Sequence, residues 1–487
     1  MLKIRFLIVL VMIFIFSSCL SFAKVNTDIK KITSVKSDFR ILGLNSNMPY
    51  MDTISFALYK NKKMYAKVGN KLFGPYERIA KNTPFFAPDG KTPAFIVSEG
   101  RKKYAVINGK KGKKYDAVGK INFSPDGKNY AYKVKKGDKQ FVVYNGTELS
   151  FFDGIKDEPV FSPDSKKMAY IGVENKKEAY IIYGNKKIGP YKNVRELRFS
   201  SDSRKIAYIA FKENGWQFFE DNKSSKVYKN AMLLEYSSKN IPACVVQNNK
   251  NKLLVLKNFK EMRPYDTIGK PVFSPDGNNI SYPAKSGKYW FMVINGKEEA
   301  RFDQLGPILF SEYGFHYGYV GIDNKKPVVV IDGKDKGSYD SVGLIKLSFD
   351  GKHYAYRAFK DKRWFVVWDG KEGKKYLNVK QPIFNPVKNE IVYGAFDGKN
   401  VFLVKNFKEG KYYKSVSLPS FSPKGKHVAY QASPDDKKWL INIDEIESKK
   451  SIDGFLPKLP LKFNSENIVY GLGFKGYEIV KFNCIIK

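Results

Sequence analysis

Apolar and polar residues alternate in short runs along almost the whole chain, and turn-forming residues interrupt these runs at short intervals. The stretch 119–160 shows the pattern in full. Lys120-Ile121-Asn122-Phe123-Ser124 alternates as a short strand. Pro125-Asp126-Gly127 predicts a turn, because Pro presets φ, Asp bonds its own backbone and Gly supplies φ > 0. Residues 129–134 read as a second strand, Lys136-Gly137-Asp138 as a turn, and 140–144 as a third strand rich in β-branched and aromatic residues. Asn145-Gly146 is a strong hairpin signal. A short fourth strand is expected over 149–152, before Asp153-Gly154 closes the unit.

The unit recurs. Its Phe-Ser-Pro-Asp-Gly signature is clear at Phe123, Phe161, Phe199, Phe273 and Phe421, and weaker copies begin at Phe86, Tyr236, Phe310, Leu347, Phe384 and Phe463. The steps between first residues are 37, 38, 38, 37, 37, 37, 37, 37, 37 and 42. A fixed period in this range marks a repeat architecture. The second strand returns as Ala169-Tyr170, Ala207-Tyr208, Ala355-Tyr356 and Ala429-Tyr430, and the third carries Trp216, Trp290, Trp364 and Trp439. Each unit closes on a pair such as Tyr115-Asp116, Tyr265-Asp266 or Tyr339-Asp340. Ser55-Phe56-Ala57-Leu58-Tyr59 and Tyr76-Glu77 match the second and fourth strands of a worn first unit starting near Met48, which makes twelve units. The turn density and the lack of a 3.6-residue stripe exclude helix-pair repeats.

These features predict an all-β fold of about twelve four-stranded antiparallel blades in tandem β-propellers. A single ring of twelve lies outside the usual four to eight blades. Two six-bladed rings fit the length, over 24–262 and 263–487, with a seam near Met262–Pro271; seven plus five is the alternative.

The Phe-Ser-Pro-Asp-Gly turn, followed by a strand ending in Ala-Tyr, resembles the Pro-Asp type of WD-repeat-like β-propeller. This is the blade type of TolB and of the propellers of some exported peptidases. The resemblance covers about residues 48–487. It implies four-stranded blades and a protein-binding role in the cell envelope. Residues 24–48 leave no room for the α/β domain that precedes the TolB propeller, and the signal runs close to the C-terminus, where the peptidases carry a hydrolase domain.

The N-terminus changes the picture. Lys3 and Arg5 precede an apolar run over 6–16, and Ser21-Phe22-Ala23 is a small-x-small site. This order reads as a signal peptide over 1–23 and predicts a periplasmic or extracellular protein. Lipid attachment at Cys19 and an uncleaved anchor are the alternatives. No later segment is apolar enough to span a membrane. Cys244 and Cys484 sit in apolar runs and read as small core residues, not as a disulfide framework.

The formal net charge is +38, and only 11 of the 86 basic residues are Arg. Scarce Arg and predicted export argue against nucleic acid as a partner. A lysine-rich surface suits an anionic envelope polymer or an envelope protein. Residues 24–262 hold 47 basic and 23 acidic residues and 263–487 hold 37 and 25, so the first half is the better candidate for an anion contact. The densest cluster is Arg101, Lys102, Lys103, Lys110, Lys111, Lys113 and Lys114. It brackets one hairpin, so its two ends are expected on opposite rims.

No nucleophile elbow, phosphate-cradling loop, His-Glu-x-x-His or Cys-x-x-Cys occurs. The three histidines, His316, His353 and His427, each stand six residues after the start of their repeat. Other repeats place Asn129, Lys167, Lys205, Asn279 or Glu390 there, so the position reads as a polar one and not as a metal site. Pro125, Asp126, Gly127, Pro163, Asp164, Pro275, Asp276 and Gly277 read as turn residues. No catalytic residue, cofactor site or metal site is assigned. The expected function is non-enzymatic binding of a protein or an anionic envelope polymer through loop faces. The alternatives are a propeller hydrolase or lyase acting on glycans, and a structural surface spacer. A carboxylate cluster in a channel would favour the enzyme, and a contiguous exposed aromatic patch would favour protein binding.

Overall fold

The computed structural model describes residues 25–34, 40–44, 55–81, 83–455, 461–476 and 478–486. The expected signal peptide over 1–23, with Cys19, lies outside the described residues. Every regular element among the described residues is a strand, and the strands form twelve antiparallel sheets. No helix there is long and apolar enough to cross a membrane.

Blade 3 shows the common plan. Strand a comes in two pieces, Ala117–Val118 and Asn122–Phe123. Strand b is Tyr130–Lys136, strand c Lys139–Tyr144, and strand d Thr147–Glu148. In chain order, blades 1 to 11 occupy 40–76, 78–111, 117–148, 154–191, 193–224, 230–261, 267–302, 304–338, 341–372, 378–413 and 415–447. Strands a of neighbouring blades touch, as Asn193–Phe199 touches both Gly154–Phe161 and Asn230–Tyr236. Strand d meets the next blade through that blade's strand b, as Lys71–Tyr76 meets Pro93–Glu99. The sheets therefore converge at strand a and splay toward strand d, as propeller blades do.

Three details differ from the sequence reading. The fourth strand of blade 3 is Thr147–Glu148 and not 149–152. The two-residue turn returns the chain at once, pairing Tyr144 with Thr147, and Phe152 rejoins only through an isolated bridge to Gln140. The first blade begins with Arg40–Leu44, upstream of Met48. The third difference is at the end of the chain. Blade 12 takes its fourth strand from Val25–Ser34, which pairs antiparallel with Glu478–Ile486 and buries Val25 beside Cys484. Residues 25–34 thus lie in the last sheet and not with the first blades. Blades 6 and 7, on either side of 262–271, pack through one shared cluster that includes Val245, Tyr265, Tyr282 and Val293.

Between blades, strand b tyrosines fill the interfaces. Tyr132, Tyr170, Tyr208, Tyr282, Tyr319, Tyr356, Tyr393 and Tyr430 are all buried. Each such ring contributes roughly 1.5–3 kcal/mol by burial. An aromatic residue at the end of most units, followed by Asp in several of them, supplies a second tie. Asp116 accepts hydrogen bonds from Lys102 (2.6 Å) in its own blade and from the Gly137 N–H (2.8 Å) at the b–c turn of the next.

The tyrosine at this position reaches a glutamate on strand d of the next blade, whether or not Asp follows it: Tyr115 to Glu148, Tyr228 to Glu261, Tyr376 to Glu409 and Tyr413 to Glu447, at 2.8–2.9 Å. The cation two residues earlier pairs with the same glutamate, through Lys113, Lys226, Lys374 and Lys411; Arg263 holds Glu298 in the same way. This cation–tyrosine–glutamate clasp seals the notch between blades. Tyr115 and Lys113 hold Glu148 below its ordinary range against the opposing effect of burial, and Lys374 and Tyr376 do the same for Glu409.

Candidate functional site

The a–b and c–d turns share one end of the blades, here called the turn rim. Its frame is the Ser-Pro-Asp-Gly motif. In blade 3 the buried Ser124 hydroxyl donates to Asp126 (2.6 Å) and accepts from the Asn129 N–H (2.9 Å). Ser162–Asp164, Ser200–Asp202, Ser274–Asp276 and Ser348–Asp350 repeat the contact. Each of these aspartates is held below the usual carboxylate range by its serine hydroxyl first. Turns of neighbouring blades are hooked together, since the Asp126 N–H donates to Ser165 Oγ and the Asp164 N–H to Ser203 Oγ. Gly127 has φ 74°, and a Cβ there would lie 2.8 Å from the Asp89 nitrogen of the blade before. The turn thus needs glycine for both conformation and space.

Blades 8 and 9 break the motif. Where Pro-Asp normally stands they carry Glu312-Tyr313 and Phe349-Asp350, and blade 10 carries Pro386-Val387. The substituted side chains point outward. Tyr313 is 57% exposed, Phe349 47% and Val387 68%. The rings of Tyr313 and Phe349 lie 4.4 Å apart across the blade boundary, and the Tyr313 N–H donates to the Phe349 carbonyl. A groove of about 380 Å³ runs beside them, lined in part by Leu309, Lys346, Phe349, Ile383 and Pro386. Adjoining it is a smaller one of about 130 Å³ that reaches His353 and Val387. Leu309 and Phe315 extend the exposed apolar surface. Sequence reading ranked these copies only as weak repeats. The signal was present in them as apolar residues at turn positions that want Pro and Asp.

The histidines serve the same rim. His316, His353 and His427 place Nδ1 at 2.8, 2.7 and 2.5 Å from Asp332, Asp369 and Asp444 on the c–d turn of their own blade. The other oxygen of each aspartate accepts the next backbone N–H, from Tyr317, Tyr354 or Val428. Asn129–Asn145 and Asn279–Asn295 make the equivalent link elsewhere. The position ties two turns of one blade together. Among the described residues no three His, Cys, Asp or Glu side chains gather to hold a metal.

The basic run on blade 2 divides between the two ends of the blade. Lys110 and Lys111 follow the c–d turn on the turn rim. Lys113 and Lys114 return beside Lys103, which bridges Tyr115, and so share the far end with Arg101. The far-end placement of Lys113 and Lys114 departs from the expected separation, because strand d is only two residues long and the chain folds straight back. Lys102, Lys113 and Lys114 are paired with Asp116, Glu148 and Glu99. Lys111 lies over the rings of Tyr76 and Tyr104. All seven basic residues are exposed; these four lysines have partners on the surface, and Arg101, Lys103 and Lys110 have no side-chain partner among the described residues.

A cavity of about 570 Å³ between blades 10 and 11 brings Glu409 and Glu445 together with Tyr430. Glu409 is bound by Lys374, Tyr376 and Tyr412, and Glu445 accepts from Tyr430 and the Lys411 N–H. Both carboxylates sit among donors, the environment of a structural anion.

No family model and no curated protein matches the chain. Solved structures of propellers are similar over much of its length. A eukaryotic initiation factor shares 13% identity, covering 74% of this chain and 96% of its own, with a TM-score of 0.36. TolB from Acinetobacter baumannii shares 16%, covering 55% and 76%, with a TM-score of 0.26. The β-propeller domain of the Trilobed protease from Pyrococcus furiosus shares 16%, covering 60% and 94%, with a TM-score of 0.23. Likeness at this level concerns the fold and carries no activity.

Proposed function

We propose that the protein is an exported, non-enzymatic β-propeller that captures a protein partner through the turn rim of blades 8 to 10. The observation that carries the reading is the solvent-facing pair Tyr313–Phe349, whose rings pack against each other at a tilt of 45°. Contiguous exposed aromatic surface is unfavourable in water and marks interaction sites. It sits where the repeat abandons its own turn chemistry, so the fold does not require it. The positive surface, with Lys346 and Lys352 flanking the pair, favours an acidic partner. Every resolved carboxylate shift among the described residues is downward, for example at Asp126, Glu148 and Glu409. Two rings of six blades belong to the same proposal, although no break in packing marks a seam near 262–271, where blades 6 and 7 share one apolar cluster. Small-angle scattering that fits one ring in place of two lobes would remove that part.

The test is a pull-down from envelope extract with wild-type protein and the Tyr313→Ala/Phe349→Ala variant, followed by hydrogen-exchange footprinting with the purified partner. Wild-type protein is expected to retain a partner that protects residues 309–316 and 346–353, and the variant to lose it. Protection elsewhere, equal retention by the variant, or turnover of envelope glycans by the purified protein would refute the reading.

A further inference from the structure

A cleft of about 1190 Å³ lies between blades 3 and 4 on the turn rim. It occupies the notch that the full clasp seals at blades 2–3, 5–6, 9–10 and 10–11; parts of the clasp are missing at blades 1–2, 4–5 and 7–8, and here all three are. Ser150 stands where Lys113 stands in blade 2, Phe152 replaces Tyr115, and Lys187 replaces Glu148. Lys187 turns away to Glu174 (2.7 Å) and lies 4.0 Å from the Tyr180 ring centroid. Other notches are also plugged from the c–d turn. Phe259 packs 4.8 Å from Phe218, and Phe407 packs 5.7 Å from Trp368. Blade 4 has Gly184-Asn185 at that turn and no such plug.

The open notch has a floor of Phe152, Met168, Tyr170 and Ile182, with the half-buried Tyr144 and Tyr183 at its sides. Four lysines line it against two glutamates. Both glutamates are already engaged, Glu148 by Tyr115 and Lys113 and Glu174 by Lys187. Lys167 donates to the Ser203 carbonyl (3.1 Å) and lies over Tyr183. Lys166 and Lys186 are exposed and neither ammonium group makes a salt bridge among the described residues, although Lys166 lies near enough to Asp164 to lower its pKa.

We propose that this cleft binds an acidic oligosaccharide, a short run of sugar rings bearing carboxylate or phosphate groups. Aromatic faces accept the C–H faces of sugar rings. The exposed ammonium groups of Lys166 and Lys186 are flexible point charges suited to anions spaced along a polymer. The volume exceeds that of a usual small-molecule pocket and admits more than one ring. The site is separate from the rim of blades 8 to 10, and either can fail without the other. The equivalent notch between blades 10 and 11 sets Glu409, Asp444 and Glu445 against Lys405, Lys408 and Lys426 and is expected to hold the same ligand more weakly.

The test is calorimetric titration of the full chain at low salt with tetragalacturonate, neutral maltotetraose and a hexaglutamate peptide. Tetragalacturonate is expected to bind at least about tenfold tighter than either control and to weaken as salt screens the lysines. Lys166→Ala/Lys186→Ala changes two exposed side chains and is expected to lose at least about tenfold in affinity. Ser150→Lys/Phe152→Tyr/Lys187→Glu rebuilds the clasp and is expected to abolish binding while leaving the melting temperature unchanged or higher. Equal binding of hexaglutamate would show that charge alone acts and would overturn the sugar assignment. Equal binding of maltotetraose, or unchanged affinity in both variants, would overturn the site.

Discussion

Blade 11 carries Phe421-Ser422-Pro423-Lys424-Gly425, with Lys424 where the motif wants aspartate. The carboxylate comes instead from the next blade. Glu466 accepts from the Ser422 hydroxyl (2.5 Å), the Lys424 N–H (2.7 Å) and the Lys426 N–H (3.0 Å). Asp126 takes the corresponding donors in blade 3, Ser124 and the Lys128 N–H. Ser422 is fully buried, and its oxygen also receives the His427 N–H (3.0 Å). Ser422→Ala leaves that N–H and the facing carboxylate short of a partner, and the expected loss is about 1–3 kcal/mol. The sharper test is a swap. Glu466→Ala strips the turn of its acceptor, and Lys424→Asp alone crowds two carboxylates onto one set of donors, so each destabilises. Lys424→Asp/Glu466→Ala restores the common motif and is expected to recover most of the loss. The assay is urea denaturation, with hydrogen exchange read at 424–428 and 461–476, because repeats open locally. If the double variant loses the sum of the two single losses, Glu466 does not act as the missing aspartate.

Acid should unfold the protein through its motif carboxylates. Asp126, Asp164, Asp202, Asp276 and Asp350 have folded pKa values below their unfolded ones, so their contribution is full above about pH 3.9 and is lost as pH falls through the depressed values; a circular-dichroism titration without an acid limb in that range would contradict this. At the other extreme, burial raises Tyr170 and Tyr282 to about 12, so stability holds below about pH 10 and declines as pH rises toward 12, as tyrosinate absorbance would follow. Tyr376→Phe removes one charge-assisted contact to Glu409 and is expected to cost about 1.5–3 kcal/mol, seen as faster exchange confined to blades 9 and 10. Deleting 25–34 exposes the edge of Glu478–Ile486, so self-association is expected, and a free peptide of that sequence should reverse it in a sedimentation assay.

The fold was legible because its determinants are local. Pro125-Asp126-Gly127 and Asn145-Gly146 form turns without reference to distant residues, and their 37-residue spacing announces the blades. What escaped reading depends on partners from another unit. Nothing near residue 30 indicates that it pairs with residue 481. Glu466 lies 44 residues from Ser422, and only a comparison of motif copies, noting Lys424, would have sought a substitute. The clasp was half visible. The tyrosines were seen, but the acid three places after each Asn or Asp of the c–d turn, at Glu148, Glu261 and Glu409, was not set beside them. The aromatic rim was hidden for a related reason. Tyr313 and Phe349 lie 36 residues apart, and only the packing of blade 8 on blade 9 brings their rings together.

Departures from the repeat are of two kinds, and the difference bears on function. At Lys424 the lost aspartate is replaced from the neighbouring blade, and no polar group is left without a partner in the turn. Such a change is neutral drift that packing has corrected. At Tyr313 and Phe349 the substitution adds exposed ring surface that no neighbour covers. At Phe152 and Lys187 the clasp is lost and a cavity opens that no plug fills. At the cleft Lys187 pairs with Glu174 and Phe152 stays buried, so what is left uncovered there is the open notch itself. In a chain of near-identical units, repaired departures report on stability. Uncompensated ones retain a cost that only binding to something outside the chain offsets, which directs experiments to the rim of blades 8 to 10 and the cleft between blades 3 and 4.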